Sequence, residues 1–212
     1  MEPKRKKFTA PKLLESQSNK EILEILNAIP QGDPNNVFGV VDGYGNTVLM
    51  RALLRQDNEK IVNAILAKIL QKNLNDILSA VDRKGNNALM LAVKWNKKEV
   101  VKAILGRIPP NDPKNVLGAV DKEGNTALML AVIKGIIEIV NAILGEMKKR
   151  GLFGTLDIKN NKGETALTLA SKSDKSIAKD IQALSDAPSP SQVKVAGWVS
   201  SKATAPRKGG PS

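Results

Sequence analysis

The chain has 212 residues, of which 42% are hydrophobic and 25% charged, a composition typical of folded globular proteins. It contains no cysteine and no histidine, which excludes thiol nucleophiles, Ser-His-Asp triads and Cys/His zinc sites. Aromatic residues make up only 3%, so the core must be aliphatic, which suits packed helices. The formal net charge is +12, and more than half of it lies in the two terminal segments.

The N-terminal segment, residues 1–19, is predicted to be a basic, disordered arm. Its run KRKK at residues 4–7 is similar to a short nuclear-import signal, and the alternative is a solvated arm that touches phosphate. The arm lacks the apolar stretch of a secretory signal. No apolar run in the chain approaches the ~18 residues of a membrane span, so we predict a protein without one.

A nine-residue pattern then recurs four times, over residues 42–50, 82–90, 121–129 and 160–168. Its glycine returns with a period of 40, 39 and 39 residues. A second block follows each copy, and its apolar residues at i, i+1, i+4 and i+5 predict an amphipathic helix. These blocks are residues 59–69, 99–108, 138–147 and, more weakly, 177–184. Residues 20–29 resemble the second block alone, which predicts an opening half repeat.

The first block predicts a tight turn followed by a helix. Gly allows positive φ, and Asp accepts hydrogen bonds from the backbone ahead of it. The residue that begins the helix is Thr, or Asn87 in the second copy, and both types cap helices well. In the links, Asp33-Pro34 and Asp112-Pro113 resemble an N-cap followed by proline at the first helical position. We therefore predict a short third helix in each link, ending just before the Asp of the next copy.

Together these blocks resemble the ankyrin repeat, D-x-x-G-x-T-P-L-H-x-A-A followed by G-x-x-E-I-V-x-x-L-L. The closest match is DKEGNTALMLAVIKGIIEIVNAIL at residues 121–144, and the resemblance covers about residues 21–184. Three features depart from the family pattern. Val or Ala replaces the family Pro, and the period is 39–40 residues rather than about 33. The family His is replaced by Met50, Met90, Met129 and Thr168.

The resemblance implies an all-α fold, an ankyrin-like helical solenoid with projecting turns and extended links. Its predicted parts are a half repeat at 20–41, repeats at 42–81, 82–120, 121–159 and 160–184, and a flexible basic tail at 185–212. The aliphatic stripes are expected to form one continuous core, because stacked repeats bury their apolar faces on each other. An apolar island in the tail, VKVAGWV at 193–199, could cap the last repeat, act as a recognition motif or serve as a delivery signal.

Partners of ankyrin arrays usually meet the turn tips and the exposed flank of the first helix. Register places twelve candidate partner-binding residues there: Tyr44, Leu54, Arg55, Arg83, Lys84, Lys94, Trp95, Lys122, Ile133, Lys134, Lys162 and Lys172. Most are basic, and only Glu123 opposes them at these positions, so an acidic partner is expected. Trp95 would be the interface anchor. The alternatives are cations that merely solvate the surface and a Trp95 that packs against the next repeat.

The function expected from these features is a non-catalytic protein-interaction module or adaptor, monomeric and without a cofactor or metal. Nucleic-acid binding is the second hypothesis, supported by the charge but not by the scarce aromatics. An enzyme is the third, and the missing His, Cys and phosphate-binding loop argue against it. The expected compartment is the cytoplasm, with the nucleus as an alternative. Chains rich in Lys, Asn and Ile with divergent ankyrin repeats also resemble effectors that intracellular bacteria deliver into host cells.

Overall fold

The computed structural model describes residues 18–30, 37–55, 59–110, 112 and 115–186. These ranges contain ten α-helices, nine of which alternate between two layers of a stack. In chain order, they are α1 Asn19–Ala28, α2 Val48–Leu53, α3 Glu59–Lys68, α4 Gln71–Ser79, α5 Ala88–Lys94, α6 Lys98–Leu105, α7 Ala127–Ile133, α8 Ile137–Arg150, α9 Ala166–Ser173 and α10 Lys175–Ser185. The basic run at 4–7, Asp33-Pro34 and the island at 193–199 lie outside the described residues.

The two layers follow the two blocks of the sequence pattern. Helices α2, α5, α7 and α9 stack on one another as the inner layer. Helices α1, α3, α6, α8 and α10 stack as the outer layer. The predicted all-α helical solenoid is therefore confirmed. Helix α1 lies in the outer layer and precedes the first complete copy of the pattern.

Each inner helix begins one residue after a Thr or Asn, as the sequence predicts. The side-chain oxygen of that residue accepts a hydrogen bond from the backbone N–H three residues ahead, which would otherwise lack a partner. The four caps are Thr47, Asn87, Thr126 and Thr165. In the last copy the Thr168 hydroxyl also accepts a hydrogen bond from the backbone N–H of Thr165, which completes a capping box.

The core is a continuous aliphatic layer between the inner and outer helices. Met50, Met90 and Met129, which occupy the position of the family His, are 0% exposed. Ala92 and Ala131 are equally buried, and their small side chains let neighbouring inner helices approach closely. Because a thioether needs no hydrogen-bond partner, Met at this position fills the core without leaving a buried polar group.

The links are less uniform than the sequence predicts. The second link forms helix α4, whereas the first and fourth form 3-10 segments, Val37–Gly39 and Phe153–Asp157. In the third link, residues 116–118 form a turn and none of the described residues is helical, so the helix predicted after Asp112 is wrong. The Asp112 carboxylate instead accepts hydrogen bonds from the N–H groups of Val116 and Leu117, at 2.7 and 2.9 Å, which closes the chain into a turn.

Basic side chains at the ends of the outer helices join neighbouring repeats. Lys68 Nζ donates to the carbonyl of Ile29 at 2.6 Å, and Arg107 Nη2 donates to the carbonyl of Ile69 at 3.0 Å. The last carbonyls of a helix have no partner within the helix. Each cation therefore satisfies the end of the preceding outer helix, and it also meets the negative end of that helix dipole.

Arg150 at the end of α8 makes the largest set of these contacts. Its guanidinium donates to the carbonyls of Ile108 and Leu105 at 2.8 and 3.1 Å, and to that of Pro109. Its Nε also lies 2.9 Å from the carboxylate of Glu146. Since the Arg150 side chain is only 9% exposed, this cation is part of the packed interface between repeats.

Candidate partner-binding groove

Four turns project from the inner layer as fingers, one per repeat. In each finger the side-chain oxygen of the first residue accepts hydrogen bonds from the N–H groups two and four residues ahead. For Asp82 these donors are Lys84 and Asn86, both at 2.8 Å. The first residues of the other fingers, Asp42, Asp121 and Asn160, make the same contacts. The predicted turn, stabilised by the Asp side chain, is confirmed.

Backbone hydrogen bonds join each finger to the next. The Arg83 N–H donates to the Tyr44 carbonyl at 2.9 Å, and the Lys122 N–H donates to the Lys84 carbonyl at 3.0 Å. The gap between fingers is narrow, because a Cβ on Gly85 would lie 3.1 Å from the backbone of the next finger. Gly85 also has a φ of 78°, which favours glycine. The fingers therefore form one wall of fixed geometry.

An open groove lies between this wall and the inner helices of the first three fingers, with a volume of about 690 Å³. Trp95 lines it and is 57% exposed, so the alternative of a Trp95 packed against the next repeat does not hold. The lining residues are Tyr44, Asn46, Arg51, Leu54, Asp82, Arg83, Lys84, Asn86, Leu91, Lys94, Trp95, Leu130, Ile133 and Lys134.

The groove brings together eight of the twelve residues singled out from the sequence. They are Tyr44, Leu54, Arg83, Lys84, Lys94, Trp95, Ile133 and Lys134. Arg55 and Lys122 do not line it, and neither do Lys162 and Lys172, which belong to the last finger and its helix. Lys172 instead bonds the Glu164 carboxylate at 2.6 Å. This hydrogen bond lowers the pKa of Glu164.

Sequence analysis missed three lining residues on the inner helices, Arg51, Leu91 and Leu130. Each lies three residues before a residue that sequence analysis did identify, on the same helix or, for Leu54, at its C-cap. Residues spaced i and i+3 share a face of a helix, so this spacing was the signal that could have found them.

Two cations of the groove are paired with the carboxylates of the fingers. Lys94 Nζ lies 3.0 Å from Asp121, whose side chain is 1% exposed, and Arg51 Nε lies 3.6 Å from Asp42. The expectation that only Glu123 opposes the basic residues is therefore wrong. Sequence analysis interpreted the Asp residues as turn formers alone. In the fold, the Oδ2 atoms of Asp42 and Asp121 also lie beside cations of the inner helices.

Three other cations of the groove have no carboxylate within ion-pairing distance in the described part of the chain. They are Arg83, Lys84 and Lys134, and all three are exposed. The Arg83 guanidinium lies over the ring of Tyr44, 5.3 Å from its centroid. The Asp82 carboxylate, which also lines the groove, accepts hydrogen bonds from the backbone and side chain of Asn86. The uncompensated charge of the groove is therefore positive.

The fold defines a helical repeat protein with an open groove along its inner layer. The chain belongs to the ankyrin repeat family: the model for ankyrin repeats, in three copies, matches residues 12–115 and 69–152. Repeats of this family are generally protein–protein interaction modules and are typically non-catalytic. No curated protein matches the chain in sequence. None of the described helices is long and apolar enough to cross a membrane.

Proposed function

We propose that this protein is a non-catalytic interaction module or adaptor that binds another protein through the groove. The observation that carries the proposal is an exposed Trp95 beside cations that have no carboxylate partner in the described residues, Lys84 and Lys134 among them. A large aromatic side chain with charged neighbours is typical of the few residues that dominate binding energy at an interface. The protein works as a monomer and without a cofactor.

The proposed partner presents an acidic surface. The charge of the groove would steer such a partner and raise its rate of association. The four predicted residues outside the groove, Arg55, Lys122, Lys162 and Lys172, extend the basic surface around it. The proposed setting is the cytoplasm, either of the cell that makes the protein or, for a delivered effector, of a host cell.

The test is a pull-down from cytosolic lysate with the wild-type chain and with the double variant Trp95→Ala/Lys134→Glu. A matched control, Lys60→Glu, makes the same charge change at an exposed position on outer helix α3. We expect the double variant to lose partners that the wild type and the control both retain. Lys94→Glu is unsuitable here, because it would place a second carboxylate beside Asp121. Recovery of the same partners by all three chains would contradict the proposal.

Nucleic-acid binding is the second candidate, favoured by the net charge of +12. Contacts with phosphates release counterions, so such binding would weaken steeply as salt rises. Titration of the chain with random-sequence duplex DNA at several salt concentrations tests this candidate. Tight binding with a steep salt dependence, abolished by Arg83→Glu/Lys84→Glu, would replace the protein-binding proposal.

A further inference from the structure

The groove has two walls of different chemistry, and this difference defines what can fill it. Arg83 and Lys84 project from the finger wall. The helical wall exposes the apolar side chains of Leu54, Trp95 and Ile133, by 42%, 57% and 54%, and also carries the exposed Lys134. From this division we infer that the occupant is a short acidic segment whose apolar side chains lie against the helical wall and whose carboxylates face the fingers. The inference rests on the proposed function and specifies the partner for the same site.

The helical wall requires an apolar occupant. Leu54, Trp95 and Ile133 come from three consecutive inner helices, and Leu91 and Leu130 line the groove with them. A contiguous exposed apolar surface bordered by polar residues is typical of a binding groove, because water covers it at a cost in free energy. A purely acidic surface would leave these side chains in contact with water, and so would a phosphate backbone.

The cations of the groove, two on the finger wall and three on the inner helices, require a negative occupant. The groove lining holds five Lys and Arg residues, Arg51, Arg83, Lys84, Lys94 and Lys134, against the carboxylate of Asp82. With Asp42 and Asp121, which pair with Arg51 and Lys94, the local sum is five positive and three negative charges. Each of these carboxylates is already held by backbone N–H groups of its own finger. The positive charge that remains is carried by residues free to contact a ligand.

The size of the groove sets the length of the segment. Packed helices lie about 8–10 Å apart, so the distance from Leu54 to Ile133 across two helix spacings is about 20 Å. An extended chain of roughly six residues covers that distance. A short linear segment therefore spans the apolar wall without help from a folded surface.

The protein's own terminal segments do not have the required chemistry. Residues 187–212 contain four Lys or Arg and no Asp or Glu, and residues 1–17 contain five Lys or Arg and two Glu. A second copy of the chain would bring a further net charge of +12 to a positive groove. The occupant is therefore a segment of a different protein.

A library of random twelve-residue peptides displayed on phage, selected on the full-length chain, tests the inference. We expect the recovered peptides to be enriched in Asp and Glu together with Leu, Ile, Phe or Trp. Synthetic copies of the recovered peptides should bind about tenfold more weakly to Arg83→Glu/Lys84→Glu and to Trp95→Ala, since loss of a buried anchor or a close charge pair commonly has this effect. The control Lys60→Glu, at an exposed position on outer helix α3, should change the affinity less than about twofold.

The alternative outcomes separate this inference from the proposed function. If the recovered peptides need Trp95 but carry no excess of acidic residues, the acidic segment is wrong and the protein-binding groove stands. If the peptides bind all variants equally, both are overturned. If the selection recovers no specific peptide, the short segment is overturned, and the pull-down alone decides the proposed function. A further outcome is that the recovered peptides lack apolar residues and that random duplex DNA displaces them completely. This result would favour nucleic acid as the occupant and would overturn both as well.

Discussion

The outer layer and the groove carry the same residue types and use them differently. In the outer layer, Lys68, Arg107 and Arg150 bond carbonyls of the preceding repeat, and Lys102 bonds the Glu138 carboxylate at 2.8 Å. In the groove, Lys84, Arg83 and Lys134 have no such carboxylate among the described residues. Net charge therefore does not show which cations of this protein are available to a ligand, whereas the pairing of each cation does.

The largest effect that this comparison predicts is a loss of stability when the nearly buried Arg150, at the end of α8, is replaced. We expect Arg150→Met to lower the free energy of unfolding by about 3 kcal/mol, because it leaves several carbonyls without their donor and leaves Glu146 with only the exposed Lys149, at 3.4 Å. Urea denaturation measures the change. Lys149→Met is the control, since the Lys149 side chain is 74% exposed, and it should change stability by less than about 0.5 kcal/mol. Equal effects of the two substitutions would mean that the outer cations do not join the repeats.

Within the groove itself, Lys94 should behave as a structural cation. Lys94→Met removes the partner of an Asp121 side chain that is 1% exposed, and we expect a loss of about 2 kcal/mol, since the carboxylate keeps its backbone hydrogen bonds. Lys134→Met, on the next inner helix, should cost less than about 0.5 kcal/mol. Thermal unfolding of both variants measures the two losses of stability. If Lys134→Met is as unstable as Lys94→Met, the prediction is wrong.

The exposed ion pairs of the outer layer should appear as a dependence of stability on pH. Hydrogen bonds from Lys102 and Lys98 lower the pKa of Glu138 from 4.5 to about 2. The unfolded chain therefore binds this proton at a higher pH than the folded chain does. The contribution of Glu138 is complete above pH 4.5 and is lost as the pH falls from there through about 2.

Urea midpoints of the wild type and Glu138→Gln at pH 3, 5 and 7 measure this contribution. We expect the two chains to differ at pH 5 and 7 and to converge as the pH falls toward 3. Glu59→Gln, at an exposed position in the first turn of α3, provides the same change of residue in another outer helix. Parallel pH profiles for the wild type and Glu138→Gln would show that the pair adds nothing to stability.

The smallest expected effect is at the cations of the groove. Lys84→Gln/Lys134→Gln should leave the free energy of unfolding within about 0.5 kcal/mol of the wild type, because neither residue contacts a carboxylate in the described structure. Any change should be a slight gain at low salt, through reduced repulsion among like charges. A loss comparable to that of Arg150→Met, measured under the same conditions, would remove the distinction between the two regions.

Much of the fold could be predicted from the sequence because its signals are local. The turn, the cap at Thr47 or Asn87 and the stripe of the outer helix each depend on residues a few positions apart. The links were predicted less well. An Asp can cap a helix or close a turn, and Asp112, predicted to be an N-cap, closes a turn. Register with the family predicted eight of the residues that line the groove. It missed three on the inner helices, one turn earlier, and three in the fingers, Asn46, Asp82 and Asn86.

The sequence by itself determined the repeat, its register and the aliphatic core, because a period of 39–40 residues with fixed turn and cap positions is compatible with few other structures. The tertiary structure decided which cations pair with a carboxylate or a carbonyl and which remain available to a ligand. Lys94 meets a carboxylate 27 positions away, and Arg150 meets a carbonyl 45 positions away. Such pairings depend on how adjacent repeats stack and on where long side chains end, and neither is encoded in the spacing of a single repeat.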